Sequence, residues 1–156
     1  MEKHSKYMQM ALDEAKTAWD EDEVPVGAVL VLPDQDLIIK AHNRTIGLND
    51  AAAHGEILAL REAGRVIGNY RLLNSVLYCT VEPCIMCMGA VIHARVSKVV
   101  FGAPDPKWGA CGSLYDFASD PGLNHHPEIV SGVCEEACRT IMQEFFRLKR
   151  QGAKSG

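Results

Sequence analysis

The chain lacks any apolar run near the roughly 20 residues a membrane-spanning helix needs; its longest, around residues 26–32, falls far short. No apolar stretch follows the charged start MEKHSK, so no secretory leader is expected. Cysteine is sparse. Six in 156 residues cannot make a disulfide scaffold, and without a leader they read as reduced thiols, some of them on a metal. Excess positive charge is also missing: 16 Lys and Arg stand against 20 Asp and Glu, a net charge of −4. A nucleic-acid partner would therefore have to meet a local basic patch, because the global field is mildly repulsive. Repeats and low-complexity segments are absent. Together these absences exclude a membrane protein, a disordered or collagen-like chain and a coiled coil, and they point to the cytoplasm.

What remains is a globular composition, 47% hydrophobic and 23% charged, long enough to bury a core as one domain spanning residues 1–156. Charge is uneven. Residues 13–23 hold six acids against Lys16 alone, and the tail from about residue 147 holds Arg147, Lys149, Arg150 and Lys154 with no acid. Taken singly, these read as a solvated face and a frayed basic tail.

Met8, Ala11, Leu12, Ala15 and Trp19 recur at helical spacing and predict an amphipathic first helix. Residues 26–32 and 37–41 are β-rich and joined by Pro33-Asp34-Gln35-Asp36, which predicts a hairpin. A second helix is expected from near Ala52 to Gly64, then a strand at 76–81. A third helix is expected with Pro83 as its first residue, running to about Ala94, and strands at 98–102 and 128–133. The last helix should carry Cys134, Ala137, Cys138, Ile141, Met142 and Phe145 on one stripe. This alternation predicts an α/β fold with a mostly parallel sheet and helices on both faces. The connection at 103–127 is too long for a simple turn and should hold a short helical turn; loops of that length are commonly either functional or disordered.

Cys84 and Cys87 fall in P-C-I-M-C-M, directly after the third strand. Alone, a Cys-x-x-Cys is a redox pair, half a zinc site or two core cysteines. The spacing puts both sulfurs on one helical face in an opening turn, where the helix dipole favours the thiolate that binds metal. His54-Gly55-Glu56 opens the preceding helix. Alone, His54 reads as a capping or core histidine and Glu56 as a surface acid. Residues two apart do not share a helical face, but His54 and Glu56 converge if the target lies off the helix N-terminus. In parallel α/β units helix N-termini gather at one sheet edge, so both motifs meet over one crevice. One His and two Cys then make a three-ligand zinc site with an open position for water, with Glu56 as the non-ligating proton carrier. Cys134 and Cys138 lie on an apolar stripe, and a core role outweighs a second metal pair with His125 or His126. Cys79 and Cys111 have no partner that the sequence identifies, and His42 and His93 read as ordinary surface or core residues.

H-G-E followed thirty residues later by P-C-I-M-C matches the zinc deaminase pattern H-x-E…P-C-x-x-C. The segments EVPVGAVLV, HNR, HGEILALR, LYCTVEPCIMCMGAVIHAR, VVFGA, GACGSL, LNHHPEIVSGV and EFFRLKRQ extend the likeness from residue 23 to 151. On these the chain resembles the bacterial tRNA-specific adenosine deaminases of the zinc-dependent cytidine/deoxycytidylate deaminase superfamily. The family usually reads H-A-E where this chain has Gly55, a change of roughly 1 kcal/mol in helix propensity that leaves His54 and Glu56 in place.

The resemblance implies a three-layer α/β/α sandwich on a five-stranded mixed sheet, a homodimer, and hydrolytic deamination of adenosine to inosine at the wobble position of a tRNA anticodon stem-loop. It implies one Zn²⁺ per subunit on His54, Cys84 and Cys87, attack of a zinc-activated water on C6, and Glu56 carrying protons to N1 and to the leaving amine. Asn43 matches the position that contacts the flipped base. Asp105, between Pro104 and Pro106, is either a ribose 2′-hydroxyl acceptor or the cap of its own turn. Two other classes stay open: a deaminase of free guanine or cytosine, which would not need the basic tail, and a non-catalytic RNA-binding module, which would leave Glu56 without a task.

Overall fold

The computed structural model describes residues 2–155, the last three by backbone alone. The elements in order are α1 (Glu2–Asp20), β1 (Gly27–Leu32), β2 (Leu37–His42), α2 (Gly55–Ile67), β3 (Val76–Val81), α3 (Ile85–Ala94), β4 (Lys98–Ala103), β5 (Glu128–Val130) and α4 (Glu135–Ser155). A 3₁₀ turn at Pro33–Gln35 closes the hairpin, with Asp36 in the left-handed region at φ 50°. A second 3₁₀ turn, Phe117–Ser119, lies in the long connection after β4.

The five strands form one sheet in the order β2-β1-β3-β4-β5. β1 runs antiparallel to both β2 and β3, whereas β3–β4 and β4–β5 are parallel. The sheet is thus mixed, and half of its ladders depart from the mostly parallel expectation. The reason is the hairpin, which reverses β1 so that β2, β3 and β4 all point the same way.

Strand alternation sorts the core into two layers. Ala28, Leu30 and Leu32 of β1, Leu77 and Cys79 of β3, and Val99 and Phe101 of β4 pack with α2 and α3 through Ala59, Leu60, Ala63, Met88 and Val91. Val29, Val31, Tyr78 and Val100 face α1 and α4 through Met8, Ala11, Leu12 and Cys138. The α/β/α sandwich follows directly from this alternation.

Element ends differ from the sequence expectations for local reasons. Asp50 accepts the backbone N–H groups of Ala52 (on Oδ1, 2.9 Å) and Ala53 (on its carbonyl, 3.1 Å), so α2 begins at Gly55 and not near Ala52. It runs past Gly64 because Ile67 still packs on the core, and it ends where Gly68 turns left-handed at φ 69°. Pro83 precedes the cap of α3, and Cys84 takes the cap position. β5 stops at Val130 because Gly132 turns at φ 80°. Cys134, itself at φ 54°, lies before α4, Ala137 is exposed, and Ala18 replaces Trp19 on the buried stripe of α1. The basic tail continues as α4 rather than fraying, with Lys149 3.8 Å from Asp22 and over the Phe145 ring. The acidic segment is only partly a solvated face: Glu23 is buried and accepts the N–H groups of Ile46 and Gly47.

Candidate functional site

At one edge of the sheet lie the C-terminal ends of β2, β3 and β4, and with them the N-termini of α2 and α3. His54 caps α2 in extended conformation, and Cys84 caps α3 likewise. In both, the main-chain carbonyl starts the helix while the side chain makes no cap hydrogen bond. The imidazole and the thiol are left for something else.

His54 Nδ1 lies 3.7 Å from Cys84 Sγ and 3.5 Å from Cys87 Sγ, and the three donor atoms all fall within 4.8 Å of one another. Tetrahedral zinc bonds of about 2.3 Å to sulfur and about 2.05 Å to nitrogen put neighbouring ligand atoms about 3.5–3.8 Å apart. The observed spacings match that set. Among the described residues this is the one cluster of three or more His, Cys, Asp or Glu groups placed to hold a metal ion.

The electrostatics point the same way. A hydrogen bond from the Cys87 thiol, with help from His54, lowers the Cys84 thiol to about 4 against its burial. Cys87, bonded to Cys84 and buried, is pushed up as the proton-keeping partner. The hydrogen bond with Cys84 also raises His54, against desolvation. The arrangement thus favours a thiolate at Cys84 beside the imidazole.

Glu56, the second residue of α2, is 3% exposed, and burial raises its carboxyl above the usual range. Its Oε1 has no hydrogen-bond partner, and it lines the same cleft as His54 and Cys84. Buried polar atoms in native proteins are seldom left unpaired. Here the unpaired atom lies in a cleft, where an arriving ligand can satisfy it.

Asn43 follows β2 and is buried, and its Oδ1 accepts the Gly55 N–H at 2.7 Å. With the oxygen engaged, the carboxamide can offer its NH₂ to the cleft it lines. Gly55 is placed tightly: a Cβ there would stand 3.1 Å from the His42 Cα and 3.3 Å from the His42 carbonyl carbon. Asp105 also lines the cleft, but its Oδ1 accepts the N–H groups of Lys107 (3.1 Å) and Trp108 (3.3 Å). The turn-capping role of Asp105 is thus present, and its other oxygen remains for a ligand.

The cleft has a volume of about 1380 Å³. It is lined by His54, Glu56 and Cys84, by Pro104 and Trp108 of the loop after β4, and by Arg139, Met142, Gln143, Phe146 and Arg150 of α4. Those five positions share one helical stripe, which sequence reasoning missed because Met142 looked like core. Glu82, buried beside Pro83, and His42, whose ring nitrogens sit 3.0 Å from Glu14 and from Glu21, were missed too. An acid at the end of an apolar strand was the available signal for Glu82. His42 had none, because its partners lie on α1 and just after it, more than twenty residues earlier in the chain.

The remaining thiols and imidazoles fit structural roles. Cys138 packs against Gly102 in the core, and burial pushes its thiol up to about 12. Burial likewise raises Cys79 and Cys111. His125 and His126 meet the backbone carbonyls of Val96 (2.7 Å) and Asp120 (2.8 Å), so neither joins Cys134 and Cys138 in a second site.

Comparison with known proteins agrees with this geometry. Residues 1–103 match the cytidine and deoxycytidylate deaminase zinc-binding region. The tRNA-specific adenosine deaminase of Haemophilus influenzae is 46% identical over 149 residues, covering 96% of this chain and 86% of its own length. That of Bacillus subtilis is 46% identical, covering 96% and 92%. A solved structure described for A-to-I editing by tRNA deaminases at the wobble position of transfer RNA aligns with a TM-score of 0.83 at 43% identity, over 87% of this chain and 98% of that one. The guanine deaminase of Nitrosomonas europaea aligns at 0.74 and 25% identity, over 90% and 83%. The cofactor is accordingly zinc. The zinc-binding region matched over residues 1–103, together with 46% identity over 96% of the chain, shows that the chain belongs to the zinc-dependent cytidine and deoxycytidylate deaminases, among the tRNA-specific adenosine deaminases.

Proposed function

We propose that the protein hydrolyses adenosine to inosine at the wobble position of a tRNA anticodon. The observation that carries this is the unpartnered Glu56 Oε1, which with His54 and Cys84 of the His54–Cys84–Cys87 trio lines a cleft of about 1380 Å³. Small-molecule pockets usually measure about 300–1,000 Å³. The larger space favours several nucleotides of a loop over a free base.

His54, Cys84 and Cys87 would hold the zinc, which when bound supplies a water activated at neutral pH. Glu56 would move both protons of the attacking water: the first to N1 as the oxygen adds at C6, and then the remaining proton of the new C6 hydroxyl to the exocyclic amine, so that C6=O forms, the C6–N bond breaks and ammonia leaves. Burial raises the Glu56 carboxyl above the ordinary carboxylate range, which suits a group that must both take up and give back a proton. The Asn43 NH₂ is offered to the base, and the free oxygen of Asp105 accepts a ribose 2′-hydroxyl, which selects RNA. An anticodon loop presents its target already unpaired, so little energy goes into flipping it.

The domain comprises residues 1–156. We take the working form to be a homodimer. Supporting that, Ile85 and Met86 of the largely apolar α3 are more than a third exposed. Six free thiols and a tRNA substrate suit the cytoplasm. No helix among the described residues is long and apolar enough to cross a membrane.

Incubation with bulk bacterial tRNA, followed by nucleoside analysis, should yield inosine in the tRNA fraction, with no turnover of free guanine or cytosine. Turnover of a free base with none in tRNA would sink the reading. Sedimentation at micromolar concentration should give twice the chain mass.

A further inference from the structure

Glu82, just beyond β3, takes no part in the chemistry above, yet it is 3% exposed and every hydrogen bond described for its side chain goes to the loop after β4. The Asp105 N–H donates to Oε1 at 3.0 Å. The N–H groups of Cys111 and Ser113 donate to Oε2 at 2.9 and 3.1 Å, and the Ser113 hydroxyl donates to Oε1 at 2.5 Å. A carboxylate is acceptor-only, so two oxygens receive four donors with no mismatch. The same loop is tied to the next two residues as well. Ala110 donates to the Pro83 carbonyl at 2.9 Å, and Cys84 pairs with Gly109 in a β-bridge. A Cβ on Gly109 would stand 2.3 Å from the Glu82 carboxyl carbon, so the loop closes over the acid only because that position is glycine.

We propose that Glu82 is a positioning residue for substrate binding: it holds the 104–113 loop in one shape, so that Asp105 and Trp108 meet the RNA in fixed places. Glu82 borders the cleft, but with both oxygens taken by loop donors it would act through the loop, without sharing in metal binding or proton transfer. This rests on the RNA-deaminase reading for its substrate arm and on geometry alone for its loop arm.

The test uses zinc-loaded Glu82→Gln. Glutamine puts an NH₂ where the loop presents donors, leaving buried N–H groups unmatched. Hydrogen exchange at the amides of Asp105, Cys111 and Ser113 should quicken on the order of tenfold or more, with α2 and α3 amides unchanged. Zinc content should hold. KM for an anticodon stem-loop should rise on the order of tenfold while kcat is largely kept, the signature of lost binding rather than lost chemistry. In a Trp19→Phe background, Trp108 emission should become easier to quench with acrylamide. Unchanged exchange, or a fall in kcat and zinc with KM unmoved, would overturn the proposal. If Glu82→Gln does not fold, Ser113→Ala, which removes the hydroxyl donor alone, should raise KM by a smaller factor, and an unmoved KM overturns it. A wild-type protein inactive on tRNA would count against the substrate reading, whereas the exchange arm reads the anchoring without substrate.

Discussion

Glu56 carries the sharpest residue-scale consequence. Since it moves protons without ligating, Glu56→Gln should keep its zinc and fold while turnover drops at least on the order of 10²–10⁴-fold, because one group serves two transfers. Metal analysis beside an inosine assay checks both halves, and near-normal turnover would remove Glu56 from its role. His42 makes a different statement. Burial opposes its charge, but the carboxylates of Glu14 and Glu21 outweigh that and hold its pKa above 6.5. A raised folded pKa means the protonated clamp stabilises the fold fully below pH 6.5, and this contribution is lost as pH rises through the higher folded value. The Tm difference between wild type and His42→Gln should therefore be larger at pH 6 than at pH 8.5. An equal difference at both would show that the clamp is not ionic.

Elements matter here chiefly through their ends. α2 and α3 each begin with a residue whose backbone caps the helix and whose side chain does not, which is how two helix N-termini come to supply a metal site. α4 acts through its length. It carries Phe145 against Trp19 at 5.3 Å on its buried side and Phe146 and Arg150 into the cleft. Truncation after Phe146 removes Arg150 and the Lys149–Asp22 pair. It should weaken binding of an anticodon stem-loop and flatten the dependence of affinity on salt, since fewer cations meet phosphate. A salt titration of both forms decides this, and parallel curves would reduce the tail to solvated surface.

For the whole molecule, the metal site bridges two helices of one layer, so metal binding and folding are coupled. Purified protein should hold one zinc per chain. Cys84→Ala should lose it and melt at lower temperature, whereas Cys134→Ala should keep it, because Cys134 lies just before α4 on the opposite face of the sheet. Elemental analysis with thermal melts reads both variants. Zinc lost from Cys134→Ala would mean that the last helix is wired to the site after all.

That His54, Glu56, Cys84 and Cys87 would come together was legible in the sequence, because their placement depends on local spacing at helix starts, which sequence records directly. The alternation of β1, β3 and β4 likewise determined the two core layers. Helix ends were less legible, because Asp50 and Gly68 set them through turns that periodicity does not see. Long-range partners were not legible at all. That Glu82 would gather Asp105, Cys111 and Ser113, that His42 would sit between Glu14 and Glu21, and that Met142 would face a cleft rather than the core were decided by tertiary packing. A buried carboxylate takes whichever donors the fold brings within reach, and residues 23 to 31 positions apart in the chain meet only once the sheet has formed.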